Sequence, residues 1–183
     1  MATESFRQTG RGTPGGEFPT VRLGPVGVEV RGLALGSALS AGGLSDLVDL
    51  VLAEGLVLVR GQELTPGEHV ALGERFGSLE QLDVNAGDGD AALAVLTNLD
   101  ERGDLRAEDD PMMKLVAINE RWHTDSSFRS VPAAFSLFYC VIAPPIGGDT
   151  FFASLRRAWQ TLPEAERSDL YGLEGVHDYA AAY

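Results

Sequence analysis

Residues 133–145 read AAFSLFYCVIAPP, and both alternating faces of that stretch are apolar. Phe135, Leu137, Tyr139 and Val141 fall on one face, and Phe138, Cys140 and Ile142 on the other. Successive side chains of a strand point to opposite sides, so this pattern predicts a strand covered on both, as inside a sandwich or barrel. Cys140 is the single cysteine, which excludes an internal disulfide and reads most simply as a small core residue.

The flanking elements predict short helices before a strand-rich second half. Residues 21–33, VRLGPVGVEVRGL, alternate weakly and are broken by glycines, which predicts short strands around a turn. Leu44, Leu47, Val48, Val51 and Leu52 then recur at helical spacing, with Gly55 as the stop, and residues 56–60 form a buried strand. Thr65 can cap the next helix, Pro66 suits its first position, and Glu68 completes a capping box. Gly77 can end it, and His69 reads as a partly exposed helix histidine rather than a ligand. Residues 92–100 predict a strand, 100–110 an exposed acidic loop, and IGGDTFF (146–152) a turn into another strand. Ser154 can cap a helix whose stripe is Leu155, Ala158, Trp159 and Leu162. A second short helix follows Pro163 and ends before Gly172, and LEGVHDY (173–179) predicts a strand. The fold class expected is α+β, β-dominated.

Composition narrows the function classes. The 183 residues are 44% hydrophobic and 22% charged, enough to fold around one core, with a formal charge of −13. So acidic a surface repels phosphate backbones and anionic lipid, which argues against nucleic-acid and membrane-surface binding. No run approaches a membrane span, the N-terminus has no apolar signal region, and one cysteine fits a reducing, cytoplasmic setting. Residues 1–18 are rich in Gly, Thr, Ser and Arg without periodicity and read as a flexible tail, leaving 19–183 as the folded domain.

Just upstream of 133–145 lies RWHTDSSF, residues 121–128. On an extended segment His123 and Asp125 share a face and can offer an imidazole nitrogen and a carboxylate to one metal ion. Alone, His-X-Asp is a weak signal that more often marks a satisfied core or surface histidine, and Trp122 beside it is likewise more often a core aromatic than a substrate wall. The context adds specificity. NERWHTDSSF, the apolar stretch, PPIGGDTFFASLRRAW and GLEGVHDY occur in this order, preceded by LVLVRGQELTPGEHVALGERFGSLE. Together they resemble the TauD/TfdA family of Fe(II)- and 2-oxoglutarate-dependent dioxygenases over residues 21–183, nearest its aryloxyalkanoate branch.

The resemblance implies an incomplete double-stranded β-helix, or jelly roll, with flanking N-terminal helices. It makes His123 and Asp125 iron ligands and Thr150 the hydroxyl that bonds a carboxylate of 2-oxoglutarate, where the bare sequence would allow a strand cap. Asn119 falls where members place a polar contact to substrate or cosubstrate. His177 resembles a histidine of relatives other than their second iron histidine. That second histidine and a cosubstrate-binding arginine lie much farther along in the family, and this chain carries neither. The implied reaction hydroxylates a small organic acid, with dioxygen as cosubstrate and succinate and carbon dioxide as products. Two other readings stand beside it: a non-catalytic remnant that binds a ligand or partner, and a structural domain in which His123 and Asp125 satisfy each other. An uncovered sheet edge gives a reason to expect self-association. Arg129 reads as a substrate-rim residue or an ordinary exposed arginine.

Overall fold

The computed structural model describes residues 18–81 and 92–178, so nearly all of the expected tail lies outside the described residues. Three strands and five helices follow in the order β1 (Thr20–Arg22), β2 (Val28–Val30), α1 (Ala41–Glu54), β3 (Val57–Val59), α2 (Pro66–Glu74), α3 (Pro111–Asn119), α4 (Leu155–Thr161) and α5 (Glu164–Leu170). The described residues of Met1–Glu68 with Pro144–Glu164 make one compact unit, and those of His69–Ala143 with Ala165–Tyr183 make a second.

The first unit is built on a three-stranded sheet, ordered β1-β2-β3. β1 pairs antiparallel with β2, Val21 opposite Glu29, and β2 pairs parallel with β3, Glu29 opposite Leu58. A parallel pair needs a long crossover, which α1 supplies. Ser40 caps α1 by accepting from the Gly43 N–H at 3.0 Å, and Gly55 closes it in the left-handed region at φ 81°. Both ends are where local chemistry predicts them. Val28 and Val30 of β2 meet Leu39 and Leu47 as buried apolar side chains of this unit. At Gly27 the turn into β2 combines φ 85° with close packing, since a Cβ there would lie 2.9 Å from Leu56 Cβ. Ser154 caps α4 as expected, and two arginines of α4 reach carbonyls of the same unit: Arg156 donates to Leu52 O at 3.0 Å and Arg157 to Pro25 O at 2.6 Å.

The capping box before α2 forms in full. Glu68 Oε2 accepts from the Thr65 N–H and hydroxyl, both at 2.8 Å, and the Glu68 N–H donates back to Thr65 Oγ1 at 3.3 Å. The Thr65 N–H, then its hydroxyl, hold the Glu68 carboxyl below its ordinary value, against a small opposing effect of burial.

The second half departs from expectation. No strand forms over 92–100, 133–145, 146–152 or the described part of 173–179; the one ladder contact there is an isolated bridge, Leu99 to Leu105. Helices therefore outweigh strands among the described residues, against the β-dominated expectation. Alternation specifies which side chains share a face, whereas a strand also needs a neighbour for its N–H and C=O groups. Residues 135–140 keep the alternation without the ladder: Phe135, Leu137 and Tyr139 are half-buried, Ser136, Phe138 and Cys140 exposed. On the half-buried face the Tyr139 ring meets His69 at 5.8 Å between centroids and Phe135 meets Phe76 at 5.7 Å, so this segment runs antiparallel to α2. The opposite apolar face is open, which places Cys140 at the surface rather than in a core.

Candidate metal-binding site

α3 leads directly into the His-Thr-Asp stretch, and its start was missed by period alone. The signal was present: Asp110 precedes Pro111, a capping residue before a proline at the first helical position. Asp110 Oδ1 accepts from the Met112 N–H at 2.8 Å, and Oδ2 pairs with Arg106 at 3.2 Å. The acidic residues before it form a turn, with Asp100 Oδ1 accepting from the N–H groups of Arg102 and Asp104 at 2.8 and 2.9 Å. The Met112 N–H holds the Asp110 carboxyl below its ordinary 3.8, with burial opposing and Arg106 adding to the effect. A carboxylate whose folded value is depressed stabilises the fold above its unfolded value and loses that contribution as pH falls through the folded one. Asp110→Asn keeps a capping oxygen and removes the titration. Melts followed by far-UV circular dichroism at pH 7 and pH 3 should show a smaller acid-induced drop in Tm for the variant than for the wild type.

Beyond α3 the chain has no regular structure through Trp122, His123 and Thr124, then turns at residues 125–128. The His123 Nδ1 lies 2.7 Å from Arg121 O. A carbonyl can only accept, so Nδ1 is the donor in that contact. The other ring nitrogen, Nε2, is turned to Asp125 Oδ1 at 3.2 Å. A separation of this size suits a proton or a metal ion held between the two. The other carboxylate oxygen, Oδ2, accepts from Ser136 Oγ at 2.9 Å, which orients the group. Both side chains remain open to solvent, 45% exposed for His123 and 58% for Asp125.

His123 and Asp125 thus lie side by side, on a loop rather than a strand. The donor set fits a divalent transition metal: one imidazole nitrogen with its far nitrogen anchored, and one anionic oxygen with its partner oxygen anchored. Among the described residues no third His, Cys, Asp or Glu joins them as a metal-holding group, His177 included. Asn119 is the last residue of α3 and is exposed, in the same unit as the pair. Thr150 is exposed in the first unit, after Gly147 and Gly148 at φ 74° and 71°. Trp122 is 74% exposed and belongs to no core. Arg129 pairs with Glu80 rather than standing free. Ser136 and the Arg121 carbonyl were not anticipated; Ser136 could have been, as the lone hydroxyl among the apolar residues 135–138.

A His-X-Asp pair with both outer atoms anchored leads here into an open apolar segment. The chain belongs to the family described as taurine catabolism dioxygenase TauD, TfdA, whose model matches residues 19–183. It is 32% identical over 154 residues to the alpha-ketoglutarate-dependent 2,4-dichlorophenoxyacetate dioxygenase of Burkholderia sp. (strain RASC), covering 81% of this chain and 52% of that protein. It is 31% identical over 165 residues to the (S)-phenoxypropionate/alpha-ketoglutarate-dioxygenase of Delftia acidovorans, covering 86% and 54%. An alkylsulfatase of Acinetobacter baylyi is 30% identical over 156 residues, covering 84% and 44%. Among solved structures, AAD-2 in complex with Mn(II) and N-oxalylglycine matches with a TM-score of 0.72 at 27% identity, covering 83% of this chain and 53% of that one. The chain spans about half the length of the curated relatives it matches. No helix among the described residues is long and apolar enough to cross a membrane.

Proposed function

We propose that residues 19–183 form the N-terminal and central part of an Fe(II)- and 2-oxoglutarate-dependent dioxygenase that hydroxylates a small organic acid. The observation that carries this reading is the approach of His123 Nε2 to Asp125 Oδ1 at 3.2 Å inside a chain of this family. His123 and Asp125 would hold Fe(II), Thr150 would donate its hydroxyl to a 2-oxoglutarate carboxylate, and Asn119 would make a polar contact to substrate or cosubstrate. A hydroxyl suits an anionic oxygen because it donates without adding charge. When bound, iron supplies the oxidative chemistry in which one atom of dioxygen goes to the substrate and the other to succinate, with loss of carbon dioxide. The chain's own share is to fix the ring so that Nε2 faces outward, by holding Nδ1 on the Arg121 carbonyl, and to aim the Asp125 carboxylate through Ser136.

The names of the relatives support the substrate class: aryloxy acids and, for the alkylsulfatase, sulfate esters are small anions joined to an organic group. Binding of N-oxalylglycine by AAD-2 supports the cosubstrate, because that compound is 2-oxoglutarate with an NH in place of one CH2. We take the fold of the whole protein to be a double-stranded β-helix, with self-association through an uncovered sheet edge as a further expectation. A second reading, a ligand- or partner-binding domain without catalysis, is favoured by the two-donor count among the described residues. Anaerobic addition of Fe(II) to the protein with 2-oxoglutarate separates the two. A visible charge-transfer band, followed by succinate on admitting oxygen, is the result expected; metal uptake without succinate would favour the second reading, and no metal uptake at all would overturn the oxygenase reading in favour of the second.

A further inference from the structure

We propose that Glu80 is a positioning residue for the His123–Asp125 pair, acting through the turn that leaves Asp125; this rests on the metal-site reading above. Glu80 follows α2 and commits both carboxylate oxygens to that turn. Its Oε2 accepts from Ser126 Oγ at 2.5 Å, and its Oε1 pairs with the Arg129 guanidinium at Nε. The Arg129 Nη2 reaches Gln81 O at 3.4 Å, and its guanidinium lies 5.6 Å from the centre of the Phe128 ring. Inside the turn the Arg129 N–H donates to Ser126 O at 3.0 Å. Both ends of the 126–129 turn are therefore held by one carboxylate.

The turn is not one that its own sequence favours. Ser126 sits at φ 55° and is the one non-glycine residue of positive φ among those described. A serine in the left-handed region needs surroundings that over-determine it, and such residues gather at functional sites. Here the over-determination comes from Glu80, and the strained residue is the immediate neighbour of Asp125. The φ of Ser126 sets the direction in which the chain leaves Asp125, and so the backbone frame from which that carboxylate meets Nε2. The pairing is also partly sheltered: the Glu80 and Arg129 side chains are 20% and 33% exposed, whereas Arg22 of the Arg22–Glu54 pair is 62% exposed. Sheltered charges are held more firmly than solvated ones. With both oxygens occupied, Glu80 serves as support rather than as a ligand, and groups that orient ligands typically alter metal affinity about 10–100-fold when removed.

The test is titration of the full chain with Co(II) alone, read by its visible d–d absorption, for wild type, Glu80→Gln and Glu54→Gln. Glu80→Gln keeps an oxygen for Ser126 and loses the charge for Arg129; Glu54→Gln breaks a comparable ion pair in the other unit. The expected result is an apparent Kd raised about 10–100-fold in Glu80→Gln, with an altered d–d spectrum at saturation, an unchanged far-UV spectrum and wild-type binding by Glu54→Gln. Wild-type affinity and spectrum in Glu80→Gln would overturn the positioning role while leaving the metal site intact. Loss of the folded far-UV signal in Glu80→Gln but not in Glu54→Gln would overturn it in favour of a plain structural clamp. Absence of any Co(II) band in the wild type would overturn the metal site, and the inference with it.

Discussion

His123→Ala should lower Fe(II) affinity by more than about 100-fold, beyond the usual loss on removing a supporting group. Asp125→Asn should do nearly the same. On the proposed reading, the first removes the nitrogen donor, and the second leaves the shape and removes the negative charge that a ferrous ion needs opposite it. Two donors supply so little of a coordination sphere that neither can be lost without losing the site. Both side chains are largely solvent-exposed, so neither change should move thermal stability by more than about 0.5 kcal/mol. Anaerobic equilibrium dialysis against Fe(II), paired with a melt of each apoprotein, measures the two effects separately. Near-wild-type uptake by His123→Ala would remove the chemical basis of the oxygenase reading and leave only family membership.

The largest stability effect should come from α1. Leu47 is 5% exposed and one of five buried apolar residues among those described, the others being Val28, Val30, Leu39 and Leu72. Leu47→Ala should destabilise by about 2–5 kcal/mol, from the lost transfer free energy together with the cavity left behind. For a chain of this size that corresponds to a fall in Tm of roughly 4–20 °C. With so small a core, that is a large share of the ordinary stability of about 5–15 kcal/mol. Leu52, on the same helix but 54% exposed, provides the contrast, and its alanine variant should lose less than about 1 kcal/mol. Urea unfolding of the two variants checks the difference; equal midpoints would mean that α1 does not pack as described.

What was legible beforehand was local. The Ser154 cap, the Thr65–Glu68 box and the Gly55 stop each depend on atoms within a few residues. β1, β2 and β3 were readable for a related reason, since short β-branched runs between glycines have few other uses. The start of α3 was equally local and was passed over, because Asp110 and Pro111 close an acidic run that reads as loop. The stretch 133–145 was misread in the opposite direction: its alternation is real, yet a ladder is a property of two segments.

The amino-acid order by itself determined which donors this protein owns and that two of them lie two residues apart, because ligand chemistry travels with residue type and spacing. Only the tertiary structure decided the rest. Which ring nitrogen of His123 faces Asp125 depends on the Arg121 carbonyl, the aim of Asp125 on a serine eleven residues later, and the turn from Ser126 to Arg129 on a glutamate forty-six residues before Ser126. Those are contacts across the chain, and no local pattern encodes a partner that folding has yet to bring near.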